Sequence, residues 1–206
     1  VDLAGGALID HFLPLGTKPD EVAAGTQREL GDFVEEPFKS QTVDTGGEIR
    51  IGLLRDGAIR AGKRIAEVRL AKSAALRPGG SDLAVLYRVI NASVRPMQIL
   101  FAVEFNLYAP GLDTPGDGHG EGYYLVDNAR PEDSTLKSAG VSPNATHVAL
   151  VNPEGEMALQ LGWDRECDLW RMPAPQGGPG VRLLSIWRLQ LPPKDNWAMG
   201  LWLAPG

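Results

Sequence analysis

One cysteine, three histidines and a 7% share of aromatic residues are what this 206-residue chain has least of. The lone Cys167 cannot close an internal disulfide, so the fold stands without an oxidising compartment, which favours the cytoplasm. Such a thiol is expected to be buried and inert. No run of about 18 apolar residues is present to span a bilayer, and no basic segment leads into an apolar one at the start. Clustered positive charge is missing too. The net charge is −6, and Arg50, Arg55, Arg60, Lys63, Arg64 and Arg69 are scattered. Neither a membrane nor nucleic acid is therefore an expected partner. The chain also opens on Val1 without a Met, as a piece of a longer protein or a processed chain would.

What is present is the composition of an ordinary globular protein, 43% hydrophobic and 22% charged. Short alternating or wholly apolar segments are punctuated by 25 glycines and 16 prolines, which is the pattern of strands and turns. The first half predicts strands at Ala7–Leu13, Phe38–Thr42, Glu48–Arg55, Lys63–Leu70, Leu83–Asn91 and Met97–Tyr108. The second predicts Tyr123–Asp127, His147–Asn152, Met157–Asp164, Cys167–Met172, Val181–Leu191 and Trp197–Leu203. One helix is expected, within Asp20–Leu30, with Asp20 as its cap and Gly25 as its weak point. In "LAVLYRVINAS" both faces carry apolar residues, and "RLLSIWRLQLP" pairs an apolar face with a mixed one. Two packed antiparallel sheets satisfy both patterns. No linker or repeat divides residues 1–206, so one all-β unit of about twelve strands is expected.

Within "ALIDHFLPLG", Asp10 and His11 are adjacent in a strand and must point to opposite sides, so they cannot converge on one substrate atom. Each needs a partner from elsewhere to be buried. They are expected to hold a loop or a neighbouring domain, as is Asp32 in "ELGDFVEEPF". In "FAVEFN", Glu104 and Asn106 share a face with Ala102, which suits either a buried polar network or contact with sugar hydroxyls. In "LGWDRECDLWRM", Trp163 and Trp170 offer rings and Asp164 a carboxylate for a saccharide, although such aromatics are more often core. The Gly-rich loop Pro110–Tyr124 holds Asp113, Asp117, His119 and Glu121, but its spacing matches no standard calcium loop and it has no paired cysteines for zinc. A plain turn and a cation-contacting loop both stay open there, and no cofactor is expected.

The order "LIDHFL", "ELGDFVEEPF", "FAVEFNLY" resembles the C-terminal β-domain of glycoside hydrolase family 57 enzymes of the 4-α-glucanotransferase and α-amylase type. The likeness runs from Leu8 to "WAMGLWLAPG"; the segment "WRMPAPQGGPG" departs from the Ser- and Glu-rich stretch common there. The resemblance implies an antiparallel super-sandwich, similar to the galactose mutarotase fold, packed against an N-terminal catalytic barrel that carries the catalytic acids. It implies an accessory role, with the barrel and an α-glucan or oligosaccharide as partners and an exposed apolar patch where the barrel would pack. The alternative is a free-standing mutarotase-like enzyme or sugar-binding protein. Its acid and base would be Glu104 and one of His11, His119 or His147.

Overall fold

The computed structural model of the protein describes residues 6–44, 46–61, 64–107, 121–152, 154, 156–174 and 180–206. In chain order, β1 (Ala7–Leu13) is followed by α1 (Pro19–Ala23), β2 (Lys39–Asp44), β3 (Ile49–Ala61), β4 (Arg64–Leu76), β5 (Leu83–Asn91) and β6 (Met97–Leu107). Then come β7 (Tyr123–Val126), β8 (Gly140–Val151), β9 (Met157–Pro173), β10 (Val181–Leu191) and β11 (Asn196–Pro205). All pairings are antiparallel, in the order β1-β6-β10-β9-β11-β5-β4-β3-β2, with β8 on β9 and β7 on β8.

The 17-residue β9 makes two layers out of this path. Its first half, Leu159 to Trp163, pairs with β11, and its second half, Asp168 to Pro173, pairs with β10. Between them the partner strand β8 shifts register at Ser142/Ala145 and Ala145/His147, which bends the ribbon. The sequence reads this corner as a gap between two strands, so among the described residues eleven strands stand where twelve are expected. The first layer is β2-β3-β4-β5-β11 and the second β1-β6-β10. They face each other: Phe101 of β6 lies 6.0 Å from Tyr87 of β5, and Trp187 of β10 lies 5.4 Å from Trp197 of β11, measured between ring centroids. Phe101 also touches Phe12, Trp187 and Trp197, so one aromatic cluster fills the centre.

Strand lengths depart from expectation where turn-like residues lie inside strands. Asp56 and Gly57 read as a turn pair, yet β3 runs through them. The Phe33 ring packs so closely on Gly57 that an added Cβ would sit 2.8 Å from Cζ. Pro143 and Asn144 (φ 56°) likewise occupy the irregular part of β8 rather than a turn. The helix is shorter than expected. It starts on Pro19, Lys18 rather than Asp20 is its N-cap residue, and the Lys18 N–H donates to the Glu21 carboxylate at 2.8 Å. Gly25, at φ +65°, follows its last turn. Val22 anchors this helix on the outer side of the second layer, against a smaller apolar cluster with Leu13, Leu100, Ala102, Trp170 and Ile186.

Candidate functional site

Pairing β1 with β6 places His11 opposite Ala102, diagonal to Glu104 and on the same face. His11 Nε2 lies 3.1 Å from Glu104 Oε2, and Nδ1 lies 2.8 Å from Glu29 Oε1. Arg182 of β10 donates to Glu104 Oε2 at 2.7 Å and to the Val22 carbonyl at 2.9 Å. Asn106 donates to Glu104 Oε1 at 2.8 Å. Two carboxylates thus meet one guanidinium and one imidazole with both ring nitrogens facing acceptors. The imidazole is held as the imidazolium and the four charges balance.

Burial would push the His11 pKa down, but the hydrogen bonds to Glu104 and Glu29 overcome it and raise it to about 9. Burial would raise that of Glu104, but His11 and Arg182 hold it at about 2. At neutral pH neither is poised to exchange a proton.

Asp10, the neighbour of His11, points into the sandwich. Lys72 of β4 donates to its Oδ2 at 2.5 Å and to the Leu8 carbonyl at 2.8 Å, joining the two layers. The Lys72 ammonium also lies 4.6 Å from the centre of the Phe38 ring. Burial outweighs Lys72 and holds the Asp10 carboxyl above its ordinary pKa. Asp32 pairs with Arg55 at 2.5 Å, and Arg55 covers the Phe33 ring at 5.2 Å. That contact fastens the segment before β2 onto β3.

The expected aromatic contributors are placed differently. Trp163 is only 5% exposed and belongs to the main core, and Trp170 is 7% exposed within the smaller cluster under α1. Neither presents an open ring face, so sugar stacking on these two is corrected. Asp164, one residue from Trp163, points the other way. It is exposed on the outer face of the first layer, near Leu86, and a Cβ added at Gly200 would lie 3.2 Å from its Oδ2.

On that outer face is a groove of about 750 Å³, floored by Gly52, Ala71, Ser73, Ala198 and Gly200. The cross-strand partners Gly52↔Ser73, Ser73↔Leu86 and Leu86↔Gly200 form one row across it. One row further on is Trp202, which the sequence reading passed over. The register pairs Trp202 with Gly162 and Gly162 with His147. The signal was present in "AMGLWLAP": Leu201 and Leu203 share a face, leaving Ala198, Gly200 and Trp202 on the other.

Glu121 lies 3.9 Å from Lys137. Asp113, Asp117 and His119 lie outside the described residues, as does the stretch 175–179 of the divergent Pro-rich segment. Among the described residues no group of three or more His, Cys, Asp or Glu is placed to hold a metal ion, and no helix is long and apolar enough to cross a membrane. Cys167 is buried, and burial pushes its thiol up to about 12. An aromatic disulfide reagent at pH 8 should leave it unlabelled in the native chain and label it once in denaturant; rapid native labelling would contradict this.

With this geometry in place, sequence comparison matches residues 4–175 to the family described as Alpha-amylase/4-alpha-glucanotransferase, C-terminal. The chain belongs to this family. A 4-alpha-glucanotransferase of Thermococcus litoralis is 32% identical over 100 residues, which are 48% of this chain and 14% of that protein. The crystal structure of a 4-alpha-glucanotransferase from that organism superposes with a TM-score of 0.65 at 18% identity, covering 98% of this chain and 28% of the other. The chain thus spans less than a third of these relatives. A galactose mutarotase related enzyme from Lactobacillus acidophilus superposes with a TM-score of 0.58 at 14% identity, over 85% of this chain and 73% of the other. The fold of this glucanotransferase-type C-terminal domain is therefore galactose mutarotase-like, all-β and curled, as its resemblance implies.

Proposed function

We propose that this chain is a non-catalytic accessory domain of an α-glucan-processing glycoside hydrolase or glucanotransferase, acting as one unit beside a catalytic barrel. The observation that carries the reading is the state of Glu104 and His11. Glu104, the expected acid, and His11, one of its three expected companions, are tied to each other, to Arg182 and to Glu29, beneath α1. Membership in the family supports the glucan-processing context, and the lone buried thiol accords with a cytoplasmic location.

A docking area for the barrel is available at the far end of the first layer. Ile49 and Leu76 are cross-strand partners, and with Ile51 they stay exposed on the face that elsewhere is core. An uncovered apolar cluster of this kind suits a partner domain.

Polarimetry on fresh α-glucose and chromatography of maltooligosaccharides incubated with the chain test the reading. No anomerisation above the buffer rate and no chain-length redistribution are expected. Turnover of either substrate overturns the accessory role in favour of a free-standing enzyme.

A further inference from the structure

We infer that the outer face of the first layer binds an α-linked glucan chain, with the Trp202 indole as the stacking platform and the groove beside it as the cradle. The inference rests on the accessory-domain reading for the kind of glucan, and on the geometry for the place.

Trp202 is 38% exposed on a strand whose other large residues are core or partly buried. Its indole lies directly over Gly162. A Cβ there would come within 2.4 to 2.6 Å of Cε2, Cζ2 and Nε1. With its underside occupied by the sheet, the indole turns its opposite face outward. The His147 ring braces it, with centroids 5.6 Å apart and planes at 30°, and Gln160 holds that imidazole through Nε2 at 3.2 Å. A flat, braced ring with one open face suits the C–H side of a pyranose, whose slightly positive hydrogens meet the negative face of the π system.

The groove supplies what the hydroxyls need. Gln41, Arg88 and Asp164 stand at it, and among the described residues none has a side-chain hydrogen-bond or ion-pair partner. They offer an amide, a guanidinium and a carboxylate, so both donors and acceptors are available, with Lys39 and Arg165 as further donors at the rim. The floor is Gly, Ala and Ser, which keeps side chains out of the space, and Leu86, 58% exposed, adds an apolar wall. Apolar surface with a few convergent polar groups is the make-up of small-molecule sites. Ile49, Ile51 and Leu76, by contrast, lie on the opposite face of this layer, so barrel docking and glucan binding do not compete for one surface.

Calorimetric titration of the chain with maltohexaose tests the site. Saturable binding is expected, weakened about tenfold or more by Trp202→Ala and several-fold by Asp164→Ala, with both variants keeping the thermal midpoint of the parent. Asp164 is exposed, so its variant remains informative if Trp202→Ala fails to fold. No saturable binding by the parent chain, or equal affinity in these variants, overturns the inference. The two readings fail separately. Absent binding with absent turnover removes the groove and leaves the accessory domain standing, whereas sugar turnover removes the accessory domain whatever the titration gives.

Discussion

Glu104→Ala should lower the unfolding free energy by about 3–5 kcal/mol, because it takes from a buried imidazolium one of its two carboxylates and leaves Arg182 without its own. Glu104 is 4% exposed, so its charge is sealed from bulk solvent. Urea melts at pH 6 would measure the loss, and a variant within about 1 kcal/mol of the parent would contradict the network's role. The same pair sets a pH window. Glu104 titrates at about 2 in the folded chain against an ordinary 4.5, so its contribution is present above 4.5 and is lost as pH falls from there towards 2. His11 titrates at about 9 against an ordinary 6.5, so its contribution is full below 6.5 and is lost as pH rises through about 9. Stability from this cluster should peak between pH 4.5 and 6.5. In Glu104→Gln both slopes should flatten.

Lys72→Met should cost a similar amount, about 3–5 kcal/mol, for the mirror reason: Asp10 would be left as a lone carboxylate in the interior. Burial already holds its pKa above the ordinary value, and without Lys72 the folded chain would bind a proton that the unfolded chain releases. The variant should therefore weaken further as pH rises past the ordinary carboxylate range. Asp10→Leu combined with Lys72→Met should regain at least half of the loss, since an apolar pair needs no counter-charge. Loss that is equal and additive in the two single variants would show that the pair does not act as a unit.

Sequence and folded chain agree most where side-chain alternation alone decides. The opposite pointing of Asp10 and His11 follows from strand geometry, and they do find partners on opposite sides, Lys72 and Glu104. Agreement stops where a residue's face depends on where the strand bends. Trp163 and Asp164 are both expected to contact a ligand, yet adjacent residues of β9 cannot share a face, and the core takes the ring. Trp202 was hidden because a Trp between two leucines looks like core until Gly162 is placed beneath it, 40 residues earlier in the chain. Of the partners of His11, Glu104 is legible only as a companion for one of three histidines, since it lies 93 residues away and only the β1–β6 register brings it near. β3 and β8 outrun the expected strands for a local reason: the turn preferences of Asp56-Gly57 and Pro143-Asn144 are overridden by Phe33 packing and by the β8 irregularity.

The place of β11 governs the order in which the molecule can be built. Residues 196–205 fill the slot between β9 and β5, so β5 and the first half of β9 stay unjoined until they emerge during synthesis. Before that moment β5 and the first half of β9 each carry an open edge, and unpaired edges of this kind recruit other chains. The second layer can close earlier, because β1, β6, β9 and β10 all precede residue 192. Until the ten-residue β11 docks, these two open edges are where the chain is most exposed to aggregation.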